Sequence, residues 1–203
     1  MKWNTSSKEF ENFLKFERNL SKNTISGYLA DLKKLIDYLS QKNINYNPNQ
    51  ITSDLIREFL YSQSKKIKSS TQGRLISSLN LFFDFMILEK IIIENPLEKI
   101  DYPKIGTSIP TTLTTMEIDS LINEAGLNKN NGLRNETIIE VLYSCGLRVS
   151  ELIDLKISDL FLDENLIKVL GKGNKERFVP VSKTAKKLIV EYIESIRNFK
   201  KIK

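Results

Sequence analysis

Residues 143–181, YSCGLRVSELIDLKISDLFLDENLIKVLGKGNKERFVPV, decide how the second half of this chain folds. A helical pattern reaches Ser144, breaks near Gly146 and resumes through Val149, Leu152 and Ile153. Two strand-length runs follow, 166–170 and 178–181, joined by the glycine-framed turn GKGNKER, which is the signature of a hairpin. Helices interrupted by one small hairpin make this half α+β.

Two features of this stretch invite chemistry. Gly171 and Gly173 permit positive φ and close approach to another backbone, while Lys172, Lys175 and Arg177 load one small projection with cations. Such a finger suits a phosphate groove, and it equally suits a solvated turn whose charges only aid solubility. Arg148 follows the glycine break and opens a new apolar helix, where a cation opposes the helix dipole. Its planar fork could meet phosphate oxygens, or it could pair with Glu151 three residues on.

Outward from there, Thr114-Thr115-Met116-Glu117 reads as a capping box opening a helix with Ile118, Leu121 and Ile122. A further helix spans about 133–144. Ser182 caps a last helix through Ile196, and 198–203, NFKKIK, reads as a frayed basic tail. Upstream, 101–113, DYPKIGTSIPTTL, carries two prolines, a glycine and several hydroxyls without apolar periodicity, as a connecting segment does.

The first half reads as four helices. Phe10, Phe13, Leu14 and Phe16 mark a first over 8–20. Ile25, Tyr28, Leu29, Leu32, Leu35, Ile36 and Leu39 recur at helical spacing in a second. A third opens at Ile51-Thr52-Ser53-Asp54, and a fourth follows the Ser69-Ser70-Thr71 cap with Leu75, Ile76, Leu79, Phe82, Phe83 and Met86 turned inward. Matching stripes predict a bundle. The expected organisation is mainly α with two domains: a helical one over 1–101, a linker over 102–113, and the α+β part over 114–203.

Composition bounds the function. The 203 residues are 40% hydrophobic and carry a formal charge of +6, which favours an anionic partner. Nucleic acid comes before membrane, because no run approaches the roughly 18 apolar residues of a spanning helix. The Lys-, Asn- and Ile-rich composition also allows the charge to be background. MKWNTSSKEFENF has no apolar leader pattern, so a cytoplasmic protein is expected. One cysteine, Cys145, excludes an internal disulfide, and the absence of histidine removes the commonest metal ligand and general base. No metal site is expected.

Taken together, YSCGLRVSELIDLKISDL and LGKGNKERFVPV closely resemble the tyrosine recombinase family, specifically its Xer-type resolvases and the related phage integrases. LSKNTISGYLADLKKLIDYL, SSTQGRLISSLNLFFDFM and ENPLEKI are similar to that family's N-terminal SAM-like core-binding domain, so the resemblance covers essentially the whole chain. It implies a clamp on double-stranded DNA and strand exchange through a 3′-phosphotyrosyl intermediate, with no metal or other cofactor. It implies that Arg148 is the first catalytic arginine, on the nonbridging oxygens of the scissile phosphate. It implies that Lys172 protonates the departing 5′-oxygen, and that Glu151 holds Arg148 in place. Lys175 and Arg177 are expected on DNA beside Lys172.

In the first half, Lys22, Asn23 and Thr24 open one helix, and Lys66, Lys68, Ser70, Thr71, Gln72 and Arg74 surround the start of another. Helix starts offer donors to phosphate, and Gln72 and Arg74 have the reach for base edges.

The sequence also departs from the family. Without histidine, its His-x-x-Arg box is not among these residues, and none of the seven tyrosines stands in the nucleophile's context. The expectation is a recombinase cut short by a frameshift, a gene split or an incomplete reading. Such a chain would bind DNA without cleaving it and expose apolar surface near its last helix. The rival is a non-catalytic DNA-binding protein of the same parts; a helical interaction protein would leave the arginine and lysine segments unexplained. The family assembles as a tetramer on two duplexes through its extreme C-terminus, so pairing with other recombinase protomers is not counted on here.

Overall fold

The first helix begins five residues before the apolar pattern announces it. The computed structural model describes residues 2–104, 106, 110–171 and 175–197, and in it α1 (Trp3–Asn12) starts at Trp3. The reason is tertiary: Trp3 stacks on Phe82 with ring centroids 6.0 Å apart, and its indole Nε1 donates to the Tyr46 carbonyl at 2.8 Å. The helix closes in a wider π turn over Phe13–Glu17, where Arg18 N–H reaches back to the Phe13 carbonyl. Phe10, Phe13 and Leu14 enter the core, whereas Phe16 lies 70% exposed, outside the stripe expected for it.

Ser21 caps α2 (Lys22–Gln41) by accepting the Thr24 N–H, and Thr52 caps α3 (Ser53–Ser64) through the Leu55 N–H. For α4 (Ser69–Leu88) the expected Ser-Ser-Thr cap is not used: Lys68 is the N-cap residue, makes no side-chain bond, and the three hydroxyl residues form the first turn. More than a stripe of α4 is buried. Leu75, Leu79, Phe82, Phe83 and Met86 are fully enclosed, with Ile76 and Phe85 nearly so, so this helix forms the centre against which α1, α2 and α3 pack their single apolar faces. Aromatic contacts knit it: Phe10 meets Phe82 edge-on at 5.3 Å, and Tyr38 meets Phe59 at 5.3 Å. After α4 the chain is pinned back by Asn95, whose amide donates to Asn80 and Asp84 and whose oxygen accepts the Leu97 N–H.

The chain divides into two compact units, Met1–Ser108 and Ile109–Lys203. In the second, the Thr114/Glu117 capping box opens α5 (Thr115–Gly126) with both reciprocal bonds made, at 2.7 and 3.3 Å. α6 (Gly132–Cys145) ends at Gly146, whose φ of +60° is the left-handed cap that stops the helix. The five-residue α7 (Val149–Ile153) follows.

A three-stranded antiparallel sheet comes next, ordered β1 (Leu160–Phe161), β2 (Leu166–Leu170), β3 (Glu176–Pro180). β1 was not expected; two residues are too short to show alternation. β2 and β3 pair from Leu166↔Pro180 to Leu170↔Glu176, so the second strand starts two residues earlier than the sequence suggests. Ile167 and Val169 send their side chains into a core shared with Val141 of α6 and with Ala185 and Ile189 of α8 (Lys183–Tyr192). Ser182 caps α8 through the Ala185 N–H and donates to Glu140 of α6. An apolar hollow of about 230 Å³ runs beside α8, lined by Ile138, Val141, Leu152, Ile153, Ile157 and Tyr192 among others. The molecule is therefore mainly helical with one small sheet. The tail over 198–203 lies outside the described residues.

Candidate active site

The path of the chain at the end of α6 fixes where Arg148 stands. The left-handed Gly146 turns the backbone sharply enough that Leu147 returns to the core, at 7% exposure, while Arg148 becomes the N-cap of α7 with its side chain 68% exposed. A cation at a helix start is unfavourable by itself. Glu151, at the third helical position, answers it: its Oε2 accepts the Arg148 backbone N–H at 2.9 Å and its Oε1 accepts Arg148 Nη1 at 2.9 Å.

Glu151 is itself 6% exposed, and a buried carboxylate needs more than one partner. The second is Arg177 on β3, which donates Nη1 to Oε1 at 2.8 Å and Nη2 to Oε2 at 2.9 Å, the two-pronged geometry that suits a guanidinium to a carboxylate. Arg177 first, then the Arg148 backbone, hold the Glu151 carboxyl down at about 2, well below its ordinary value; Glu151 in turn raises the Arg177 guanidinium. The ion pair foreseen between Arg148 and Glu151 is present. Arg177, for which a DNA contact was expected, is engaged with Glu151.

The hairpin reaches this cluster at its base. The Gly171 N–H donates to the Lys175 carbonyl at 2.7 Å and closes the mouth of the turn. A Cβ on Gly171 would stand 3.0 Å from Arg177 Nη1 and 3.4 Å from the Lys175 oxygen, so this position needs glycine for space rather than for positive φ. Lys175 is exposed beside it. Lys172, and with it Gly173, lies outside the described residues.

In the first unit, Lys22 and Asn23 are exposed at the start of α2 and Thr24 is half-buried there, its hydroxyl bonded to Ser21. Lys66, Lys68 and Ser70 are exposed and Thr71 is half-buried around the start of α4. Gln72 donates to the Leu60 carbonyl at 3.3 Å, which ties it to α3.

Arg74 is tied as well, to a residue the sequence reading passed over. Asp31 is fully buried and accepts from Arg74 Nη2 at 3.0 Å, Lys34 Nζ at 2.9 Å and Ser78 Oγ at 2.9 Å. This pairing lays the Arg74 guanidinium against α2, 3.6 Å from where a Cβ of Gly27 would stand, one turn beyond Thr24. Asp31 carried a signal: three residues after Tyr28 and four before Leu35, it falls inside the apolar stripe, where a carboxylate requires partners.

Among the described residues no group of histidine, cysteine, aspartate and glutamate side chains could hold a metal ion, and no helix is long and apolar enough to cross a membrane. The hollow beside α8 is lined mostly by aliphatic side chains, with Arg134, Thr137, Lys156 and Tyr192 among them, and presents no carboxylate among the described residues. Around Glu151, Arg148 and Lys175 are exposed cations among the described residues.

Comparison with known proteins decides the family. The phage integrase family model matches residues 111–202, and the model of the phage integrase N-terminal SAM-like domain matches 8–90. The chain belongs to the phage integrase family of tyrosine recombinases. Tyrosine recombinase XerD of Staphylococcus epidermidis is 38% identical over 195 residues, covering 96% of this chain and 66% of that protein. XerD of Staphylococcus aureus is 38% identical over 196 residues, covering 95% and 65%. The chain thus spans just under two thirds of the length of these tyrosine recombinases.

The fold agrees. A lambda integrase dimer bound to a COC′ core site superposes with a TM-score of 0.75 at 20% identity, over 96% of this chain and 55% of that one. The XerH site-specific recombinase bound to palindromic difH substrate gives 0.66 at 22% identity, over 93% and 57%. The α1–α4 bundle thus corresponds to the SAM-like domain model, and α5–α8 with the sheet lie within the residues matched by the phage integrase family model.

Proposed function

We propose that this chain is the DNA-binding and phosphate-clamping portion of a site-specific recombinase, acting on double-stranded DNA by strand cleavage and rejoining through a phosphotyrosine. The observation that carries the reading is Arg148: a guanidinium on a sharp turn, backed by a buried carboxylate, 68% exposed, and giving a single side-chain bond among the described residues. Its remaining donors are free for the nonbridging oxygens of a phosphodiester, where negative charge builds as the phosphorus becomes five-coordinate. Lys172, carried by the hairpin whose base adjoins Arg177, supplies the proton to the departing 5′-oxygen.

The partner follows from likeness and charge. The lambda integrase and XerH structures hold DNA, and a formal charge of +6 with exposed cations at Lys22, Lys66 and Lys68 supports the same partner here. Other protomers of a recombinase would complete the assembly that acts on two duplexes. The reaction needs a nucleophile and a second proton-transfer group. With no histidine in these residues and no tyrosine beside the Arg148 cluster in sequence other than Tyr143, a 49% exposed side chain on α6, we infer that the polypeptide by itself binds and does not cut.

Two measurements test this. On a 30-base-pair duplex, Arg148→Ala is expected to lower the slope of log affinity against log salt by about 0.9, the share of one neutralised phosphate; an unchanged slope removes Arg148 from the interface. On a nicked suicide substrate the chain is expected to give no covalent protein–DNA adduct. A band of protein-linked DNA would show that one of the seven tyrosines does act.

A further inference from the structure

Arg177 stands where a phosphate contact was expected, and its position in the strand says otherwise. In the antiparallel register it lies directly opposite Val169, and it is in phase with Val179. Side chains directly opposite one another share a face, and Val169 is 3% exposed in the core. Arg177 therefore leaves β3 on the inner side, whereas Glu176 and Phe178 leave it outward and exposed. From there its fork reaches both oxygens of Glu151.

This occupation has an electrostatic result. An ionised carboxylate offers about four acceptor positions. Arg177 fills two, and the backbone N–H and Nη1 of Arg148 fill the others. Two cations face one anion, so the cluster keeps a net positive charge, and its exposed member is Arg148. Without Arg177 the carboxylate would turn both oxygens to Arg148, neutralising the guanidinium and folding it back on α7. The contact also joins two elements distant in sequence. The Arg177 guanidinium crosses Gly171, at the mouth of the turn that carries Lys172.

We propose that Arg177 is a positioning residue: by saturating Glu151 it leaves the charge of Arg148 uncompensated and its guanidinium turned outward, and it ties the base of the Gly171–Lys175 turn to the start of α7. The proposal rests on the reading of Arg148 as the phosphate clamp, and its test separates the two.

The whole 203-residue chain is titrated with a random-sequence 30-base-pair duplex over a range of salt, as wild type, Arg148→Ala, Arg177→Ala and the double variant. Arg177→Met, which keeps the aliphatic stem, replaces the alanine variant if that does not fold. Arg177→Ala is expected to lower the salt slope by about 0.9, as Arg148→Ala does, and the double variant to lower it no further, because one phosphate contact is lost in every case. A double variant that loses about 1.8 makes Arg177 a phosphate contact in its own right and overturns the proposal. So does an Arg177→Ala slope equal to wild type beside a reduced Arg148→Ala slope.

The second measurement uses no DNA: the 15N resonance and hydrogen exchange of the Arg148 Nε–H, with Glu176→Ala on the outer face of the same strand as control. Arg177→Ala is expected to shift that resonance and change its exchange severalfold, with Glu176→Ala leaving both unmoved. If Arg148→Ala leaves the salt slope unchanged, the clamp reading fails, and this resonance alone decides the positioning role. An Arg148 signal indifferent to Arg177 overturns it.

Discussion

Asparagine at position 31 would show how far a buried carboxylate sets the stability of the helical unit. Asp31 has no exposed surface and accepts from Arg74, Lys34 and Ser78. Asparagine keeps the shape and one acceptor oxygen but presents an NH₂ where the other oxygen took donors. The serine hydroxyl can turn, since it already reaches the Arg74 carbonyl at 3.0 Å; the two cations cannot. Each charge-assisted bond contributes about 1.5–3 kcal/mol. Arg74 and Lys34 side chains are 47% and 38% exposed and recover water on release, so the lower end applies, and two weakened contacts give about 3 kcal/mol. In a unit of this size that lowers Tm by about 12–24 °C. The assay is thermal unfolding followed by tryptophan fluorescence, which reports this unit alone because Trp3 is the single tryptophan of the chain. The exposed pair Asp54–Arg57 is the control: Asp54→Asn is expected to stay within about 0.5 kcal/mol. An Asp31→Asn shift no larger than that of Asp54→Asn would refute the reasoning and make the Asp31 cluster energetically a surface pair.

The acid limb of stability should carry the mark of Glu151. Its carboxyl sits at about 2 in the folded state against an ordinary 4.5, so its contribution is full above pH 4.5 and is lost as pH falls toward 2. Glu151→Gln is expected to flatten that part of a calorimetric Tm–pH profile, with a residual slope from Glu117, also held low by its Thr114 bonds; a profile parallel to wild type counts against the pairing. Phe10→Ala empties a fully buried ring site beside Phe82 and Phe85 and is expected to cost about 3–5 kcal/mol in urea unfolding, where a loss under about 1 kcal/mol would mean the site collapses freely. Burial pushes the Cys145 thiol up, so labelling by a disulfide reagent at pH 8 is expected to be at least about tenfold slower in the native chain than in denaturant; equal rates would place it at the surface.

The elements that are legible in the sequence are those whose signals are local. α2 shows its stripe, the Thr114/Glu117 box shows a helix start, Gly146 shows a stop, and the hairpin shows itself by two β-branched runs around glycines. The missed features depend on residues far away. Trp3 extends α1 because Phe82 and the Tyr46 carbonyl receive it, and Gln72 and Arg74 bond to Leu60 and Asp31, far from them in sequence. Two of these partnerships carried a visible signal. Asp31 lay within an apolar stripe, and Arg177 lay in phase with Val179 on an alternating strand. In both cases periodicity said inward while the charge of the residue type said outward, and periodicity was right because a partner of opposite sign was waiting inside.

That single carboxylate with both oxygens doubly occupied has a consequence for inheritance. Arg148, Glu151 and Arg177 do not drift independently, since losing Glu151 strands two cations and losing either arginine leaves the carboxylate with one guanidinium where it had two. A library randomised at the three codons should therefore return survivors in compensated sets, such as an apolar pair replacing Glu151 and Arg177 together, far more often than the product of the single-site frequencies. The strand position that anchors the hairpin is thereby held to the same set.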